Sequence, residues 1–394
     1  MKILFLSAYY PPNTRGGAEV STYLIAEGLK ALGHQVDAVF EGKPVVLGLT
    51  KKPLWEKTWA KRVAGKLKQA VDLSKYDLVH AQDFRTALVL AELGLENSVV
   101  TIRDYWPISG TTNYLRIDGR VGSDSKWSEV WWQNPRVREA RGLRKIARAW
   151  QYAHNLAYRK WAWEIISRKI YISKAQRNLI EDVLGVPGNS SVIYNPVSQD
   201  YLTDVVGGRS LGREVLYAGR VEFYKGVGLL LESWREVVKR VPGAHLTIIG
   251  EGAQRREYED LVDKWGLGQQ VSFQDRVKYG QLRDVYDRVA VVVAPHLWLE
   301  PFGRTVVEAQ ARGKIVVAAN HGGPSEMIED GRTGILFEKG SKESLARVLE
   351  KGLLLPEMKR REIQKAARSW AEDNLRVEKI AGEYVSLYKS WARV

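Results

Sequence analysis

Apolar and polar positions along this chain follow two rhythms. Short, mostly apolar runs at 2–8, 35–40, 76–81 and 98–102 read as parallel strands, because a strand covered on both faces keeps few polar positions. Between the first two, Ala18 to Leu32 sets Val20, Leu24, Ile25, Gly28 and Leu29 at helical spacing, and Gly33 ends the run. Strand, turn-rich loop, helix, strand is a βαβ unit. The rhythm restarts at Glu214–Ala218, a strand followed by a loop over Gly219–Lys225 and a helix over Gly226–Arg240. Further strands are expected at Leu246–Gly250, Val271–Phe273, Val289–Ala294 and Ile315–Ala319, with helical stretches between them. Two such halves predict an α/β protein of two doubly wound domains. The boundary is placed at Tyr194-Asn195-Pro196-Val197-Ser198, giving domains over 1–197 and 198–376. The amphipathic tail, 377–394, is expected to pack back on the first domain as a helix. Residues 103–170 fit the scheme poorly and read as an inserted helical region carrying seven of the fourteen tryptophans.

Composition narrows the chemistry. The 394 residues include no cysteine, which removes disulfides, thiolate nucleophiles and Cys-ligated zinc. No leader pattern opens the chain, and no apolar run approaches the roughly 18 residues of a membrane span. A soluble, cytoplasmic protein is expected. The formal net charge of +14 calls for an acidic partner or is simply a solvated surface.

Two loops carry candidate chemistry. Gly219 to Gly226 lies where a parallel strand ends, the edge at which ligands of such sheets bind. Its Arg220 offers a planar fork of donors and Lys225 a point charge beside a helix N-terminus, a pairing suited to a diphosphate. The plainer reading is two solvated cations. The second loop, His296 to Gly303, follows the strand at 289–294 and leads into a helix running to about Arg312. Glu300 precedes that helix and Glu308 lies in its second turn. At about 1.5 Å of rise per residue they stand farther apart than the ~5.5 Å of a nucleophile–acid pair in a retaining glycosidase. They can instead accept hydrogen bonds from hydroxyls strung along one ligand. The first turn, Gly303-Arg304-Thr305, adds backbone donors for a phosphate between them. Otherwise Glu300 caps the helix and Glu308 is a surface residue.

Glu300 and Glu308, with seven residues between them around Pro301-Phe302-Gly303, resemble the paired-glutamate motif of retaining nucleotide-sugar glycosyltransferases, glycosyltransferase family 4. Gly219-Arg220 with Lys225-Gly226 resembles that family's diphosphate motif. Gly16-Gly17-Ala18-Glu19 resembles its N-terminal glycine loop, and Asn320 to Glu326 its later Gly-Gly-Pro loop. The resemblance spans nearly the whole chain and is weakest at 103–170. It implies the GT-B architecture, two Rossmann-like domains facing each other across a cleft, with acceptor on the first and donor on the second. By residue, it implies that Arg220 and Lys225 hold the donor diphosphate. Glu308 would bind the ribose and Glu300 the transferred sugar. Gly16 and Gly17 would admit the phosphates, and Phe302, Gly303, Arg304 and Thr305 would line the sugar–phosphate region. No Asp-x-Asp occurs, so a metal–diphosphate clamp is not indicated. One departure stands out. Thr101-Ile102-Arg103-Asp104 places Arg103 where the family has a histidine facing the sugar. A guanidinium stays protonated and cannot be a base, so Arg103 either binds an anionic group of donor or acceptor or pairs structurally with Asp104; with Glu300, Arg103 and Asp104 are the catalytic candidates.

The stretch 135–169 holds ten Lys and Arg against Glu139 and Glu164. Helical phase gathers Leu143, Ile146, Ala147, Trp150, His154, Ala157 and Trp161 on one face, and Arg138, Arg141, Lys145, Arg148 and Arg159 on the other. Either the apolar face packs on the first domain, with His154 a core histidine, or residues 135–163 lie on an anionic membrane surface.

The leading expectation is therefore a metal-independent, retaining glycosyltransferase using no cofactor beyond its donor, a UDP- or GDP-sugar first. The acceptor is expected to be a lipid-linked or polysaccharide-precursor glycan, met by a cytoplasmic enzyme peripheral to the inner membrane face. Two other classes fit less well. A sugar-nucleotide epimerase needs proton-abstracting groups that Arg103 does not supply. A basic nucleic-acid-binding protein is opposed by the paired glutamates, which repel phosphates, so no nucleic acid is expected.

Overall fold

The computed structural model describes residues 1–11, 16–44, 46–50, 53–109, 142–185, 190–203 and 212–392. Over these the chain forms two compact units, Met1–Pro196 with Val377–Val394, and Val197–Arg376.

The first unit runs β1 (Lys2–Leu6), α1 (Gly17–Ala31), β2 (Gln35–Val39), α2 (Glu56–Ala70), β3 (Leu78–Ala81), α3 (Phe84–Leu93), β4 (Ser98–Ile102), α4 (Leu143–Ile165), β5 (Arg168–Tyr171), α5 (Lys174–Leu184) and β6 (Ser190–Val192). Its six strands lie in the order β2-β1-β3-β4-β5-β6, every neighbouring pair parallel. Ile3, Phe5, Val99 and Ile170 are wholly buried, as central strands covered on both faces require.

The second unit runs α6 (Gln199–Leu202), β7 (Glu214–Ala218), α7 (Val227–Arg240), β8 (His245–Ile249), α8 (Arg255–Lys264), β9 (Val271–Gln274), α9 (Tyr279–Arg288), β10 (Val291–Ala294), α10 (Arg304–Ala311), β11 (Ile315–Ala319), α11 (Gly323–Met327), β12 (Ile335–Phe337), α12 (Lys342–Leu353) and α13 (Glu357–Leu375). Its strands lie in the order β12-β11-β10-β7-β8-β9, again all parallel. Strand order reverses between β7 and β10, and between β1 and β3 in the first unit. Crevices for ligands open at the carboxyl ends of such strand pairs.

The last helix, α14 (Val377–Ala392), belongs to the first unit. Two tyrosines bolt it there. Tyr388 Oη lies 2.6 Å from Nδ1 of the buried His80, whose Nε2 lies 2.8 Å from Thr101 Oγ1. Tyr384 Oη lies 3.4 Å from the same Thr101 hydroxyl.

Three strands escape the hydrophobic pattern. β5 begins with Arg168 and Lys169, and β6 and β12 are three residues long. Lys169 is nevertheless buried, its ammonium 4.5 Å from the Trp163 ring centroid, and burial lowers it to about 8. The region expected as an insertion therefore ends in a sheet strand, and α4 is, among the described residues, a helix on the connection from β4 to β5. Residues 110–141, with Arg136, Arg138 and Arg141, lie outside the described residues.

The phase of α4 differs from the expectation that its apolar face packs on the first domain. Ala149, Tyr158, Ala162 and Trp163 face inward, and Leu143, Ile146 and Trp150 face outward. Arg159, placed by helical phase among the exposed cations, is buried. Its Nε and one terminal nitrogen donate to the two carboxylate oxygens of Glu56 at 2.8 and 2.6 Å, and the other to Ser109 O at 3.0 Å. His154 is not a core histidine. It is half-buried in a surface aromatic cluster with Trp55 and Trp150.

Two helical glycines test this packing in opposite directions. A Cβ on Gly28 of α1 would lie 2.7 Å from Val377 Cγ1 and 2.9 Å from Ala381 Cβ, whereas Gly65 of α2 has nothing within 4 Å. Gly28→Ala should destabilise by about 1–3 kcal/mol through overpacking against α14. Gly65→Ala should stabilise by about 0.5–1 kcal/mol through helix propensity. Urea unfolding of the two variants checks both signs.

Candidate active site

The site of the second unit forms where the loops after β7 and β10 are forced together. Gly226 closes the first loop at φ +78°, and a Cβ there would meet the carbonyl oxygen of Pro295 at 1.8 Å. Only glycine permits this approach. The backbone N–H of Leu297 donates to Tyr224 O at 3.0 Å, locking the loops edge to edge. The loop after β11 presses from the other side. Gly323 N donates to Glu300 O at 2.7 Å, and a Cβ on Gly323 would strike Pro301 O at 2.4 Å.

This framework sets Lys225 against Glu300. Lys225 Nζ donates to Glu300 Oε2 at 2.6 Å, with both side chains largely buried. Trp298 Nε1 donates to the same oxygen at 3.1 Å, and the Trp298 ring lies 4.7 Å from the Lys225 ammonium. The buried Nδ1 of His296 stands 3.7 Å from Glu300 Oε2. Burial by itself would raise the Glu300 carboxyl, but Lys225 and the surrounding positive field outweigh it and hold Glu300 at about 2. Glu300 is thus held as an anion, and the N-cap of the helix that follows is Gly303.

Burial also keeps two histidines beside it neutral. Their cationic forms are disfavoured first by desolvation and then by nearby lysines, which places His296 at about 3 and His321 at about 4. His321 Nε2 lies 2.6 Å from Trp298 O.

Glu308 is no surface residue: only 2 % of it is exposed. Arg304 Nε lies 2.7 Å from its Oε1, Tyr286 Oη donates to Oε2 at 3.3 Å, and Arg304 also donates to Tyr279 Oη at 2.6 Å. Burial raises the Glu308 carboxyl. Arg220 is exposed, its guanidinium 5.6 Å from the Tyr224 ring centroid. Phe302 and Gly303 are buried, and Arg304 and Thr305 open the first turn of α10, where N–H groups have no intrahelical partner.

The remaining expected residues belong to the first unit. Gly16 is the N-cap of α1 and Gly17 its first residue, at the crevice between β1 and β3. Arg103 turns away from Asp104. It donates to Gln82 O and Oε1 at 3.0 and 2.8 Å and to Asn195 Oδ1 at 2.6 Å. Asp104 instead accepts from Trp106 N at 2.8 Å, and burial raises its carboxyl to about 7. Gln82 and Asn195 carried no sequence signal, since each acts only through a partner distant in the chain. His296, Trp298 and His321 lay inside the recognised motifs but had no assigned role. Their place immediately after β10 and β11 was the available sign. Among the described residues, no group of three His, Asp or Glu comes together as a metal site would require.

Comparison with known proteins bears on the family and the fold. The model of glycosyltransferase family 4 matches residues 15–201, and that of glycosyl transferases group 1 matches residues 209–370. The chain belongs to the glycosyltransferases of these two models, with the GT-B fold. An uncharacterized glycosyltransferase of Methanocaldococcus jannaschii is 26% identical over 88% of this chain and 87% of its own length. HepE of Anabaena, solved in complex with UDP and glucose, superposes with a TM-score of 0.71 at 21% identity, covering 99% of this chain and 100% of its own. Sucrose-phosphate synthase of Thermosynechococcus elongatus superposes with a TM-score of 0.72 at 19% identity, over 99% of this chain and 98% of its own.

Removing one member of the buried pair strands the other. Lys225→Met should destabilise the ligand-free protein by about 3 kcal/mol, and Lys225→Met/Glu300→Leu should recover most of that loss. Denaturant unfolding of the single and double variants measures it, and equal losses in both would show that the pair is not what is being broken.

The neutral histidines set a pH dependence. Unfolded histidine titrates near 6.5 and these two far lower, so below about 6.5 the unfolded state binds more protons and folding weakens as pH falls towards 4. His321→Gln should remove up to about 1.4 kcal/mol per pH unit of that slope. Unfolding midpoints recorded from pH 7 to pH 4 provide the comparison.

Proposed function

We propose that the protein is a retaining transferase that moves a sugar from a nucleoside-diphosphate donor to an acceptor hydroxyl, with the donor bound by the second unit. The observation that carries this reading is the buried Lys225–Glu300 pair beside the crevice between β7 and β10. A lysine has three N–H donors, and one is spent on Glu300. The others suit a phosphate oxygen without breaking the pair. Arg220 presents its fork from the same loop, and the N-terminus of α10 adds backbone N–H groups. Glu300, permanently anionic, suits the sugar, whose hydroxyls donate to it. Glu308 is read as the ribose ligand. Arg304 also pairs with Glu308, so the ribose hydroxyls share the carboxylate with that guanidinium. Gly16 and Gly17 are read as the first unit's approach to the phosphates.

The bond from the anomeric carbon to the donor phosphate oxygen breaks, and its electron pair leaves with the diphosphate. The acceptor oxygen bonds to that carbon on the same face, and its proton passes to the departing phosphate oxygen. Arg220, Lys225 and the helix terminus meet the charge that develops on the leaving group. No basic side chain is needed. This suits a first unit in which the expected histidine is Arg103, protonated and committed to Gln82 and Asn195. Asp104 is read as the fold support of the turn after β4. The complex of HepE with UDP and glucose supports a UDP-sugar as the first donor to try, with GDP-sugars next. The acceptor is read as a glycan or lipid-linked sugar met at the inner membrane face, and no metal is assigned a role.

The reading is tested by thermal shift against UDP-, GDP- and ADP-sugars. A donor at 100 times its Kd should stabilise by about 2.7 kcal/mol. Arg220→Ala and Lys225→Ala should each weaken that binding by about 1.5–3 kcal/mol. Glu300→Gln should cut turnover more than nucleotide affinity. Glu308→Gln should weaken even the free nucleoside diphosphate, and a loss of stability with unchanged affinity would make Glu308 a scaffold for Arg304 instead. No shift with any sugar nucleotide would overturn the donor assignment, and a product of inverted anomeric configuration would overturn retention.

A further inference from the structure

We propose that the outer face shared by α2 and α4 in the first unit is a docking surface for an anionic lipid bilayer. The apolar part is built mainly on α4, where Leu143 is 84%, Ile146 55% and Trp150 58% exposed. The start of α2 extends it. Leu54 is 62% exposed, and the Trp55 ring lies 5.6 Å from those of both Trp150 and His154, which stack on each other at 5.7 Å. Scattered apolar residues on a surface need no explanation, but a contiguous patch of large ones marks a place where something binds.

Charge identifies the occupant. Helices α2 and α4 carry ten Lys and Arg against two carboxylates. Glu56 is consumed by Arg159, and Glu164 lies 3.8 Å from Lys160. The exposed Lys57 and Lys61, one turn apart on α2, line a groove of about 360 Å³ with His154, Tyr158 and Trp161. Glu92, the acidic residue of that groove, accepts the Tyr158 hydroxyl at 2.9 Å. A phosphate headgroup entering there meets two ammonium groups while the neighbouring indoles reach the level of the acyl chains. Tryptophan beside lysine and arginine is the chemistry of a membrane–water boundary, where an amphipathic helix lies in the plane with its apolar face down. Long cationic side chains extend from such a helix to the headgroups while their stems stay apolar.

The other occupants fit less well. A second copy of this chain would bring a net charge of +14 against another +14. Nucleic acid would satisfy the cations but gain nothing from Leu54, Leu143 and Ile146. No helix among the described residues is long and apolar enough to cross a membrane, so the attachment is peripheral and salt-sensitive. The proposal is independent of the donor reading, because it is measured without a sugar nucleotide.

The experiment is sedimentation of the full chain with phosphatidylcholine vesicles, with and without phosphatidylglycerol, at low and high salt. The wild type should pellet with the anionic vesicles at low salt, and high salt should release it. Lys57→Glu/Lys61→Glu and Ile146→Ser/Trp150→Ser should each lower the partition at least tenfold while keeping the wild-type melting temperature. Failure of the wild type to pellet, or equal pelleting of wild type and both variants, overturns the proposal. It is also overturned if the wild type is a dimer by light scattering that Ile146→Ser/Trp150→Ser splits, since the face would then be a contact between copies. Preferential, salt-sensitive retention on nucleic acid without vesicle binding overturns it as well.

Discussion

A lysine and a carboxylate taken out of water at the end of a sheet hold the second unit's site in register. Each charge alone would cost several kcal/mol to bury, so neither Lys225 nor Glu300 can sit where it does without the other. They arrive on separate loops, one after β7 and one after β10, the strands that flank the reversal of strand order. The loops must therefore meet to within a hydrogen bond, and the glycines at 226 and 323 follow from that demand, since a side chain on either would drive the backbones apart. Trp298 answers both charges at once, its N–H on Glu300 and its ring face under Lys225. Lys225 and Trp298 together thus answer the Glu300 carboxylate.

The central strands were the most legible part of the fold. Glu214–Ala218, Ser98–Ile102 and Ile315–Ala319 are unbroken apolar runs or nearly so, and the strands found there have those limits. Such runs arise because helices cover both faces of a parallel sheet, which leaves no polar position to blur them. Legibility failed towards the sheet edges. β12 and β6 are too short to form a pattern, and β5 opens on Arg168 and Lys169. Lys169 tolerates its depth by lying over Trp163, a pairing that exists only once α4 has turned back on the sheet.

At the site, the motifs located the loops but not the relations within them. Arg220, Lys225, Glu300 and Glu308 were found as residue types at a spacing, whereas the bond from Lys225 to Glu300 spans 75 positions and has no local signature. Glu308 illustrates the same limit. Helical geometry places Arg304 one turn before it, yet a surface ion pair and a buried one read alike in sequence. Their burial is decided by Tyr279 and Tyr286 from α9. Arg103 was recognised as a departure, and its partners, Gln82 and Asn195, come from the ends of β3 and β6.

Helix α4 shows why periodicity alone does not decide orientation. A period of 3.6 says which side chains share a face. Which face turns inward depends on what the rest of the fold offers. Here α2 offers Glu56, buried and needing a cation, and Arg159 supplies it from the face that looked most soluble. Once that bidentate pair fixes the rotation, small residues such as Ala149 and Ala162 can pack closely inward. Leu143, Ile146 and Trp150 are left outside. The exposed apolar stripe is thus the consequence of one buried ion pair, and the surface chemistry of the first unit follows from the same rule as the site of the second: a charge removed from water dictates where its neighbours go.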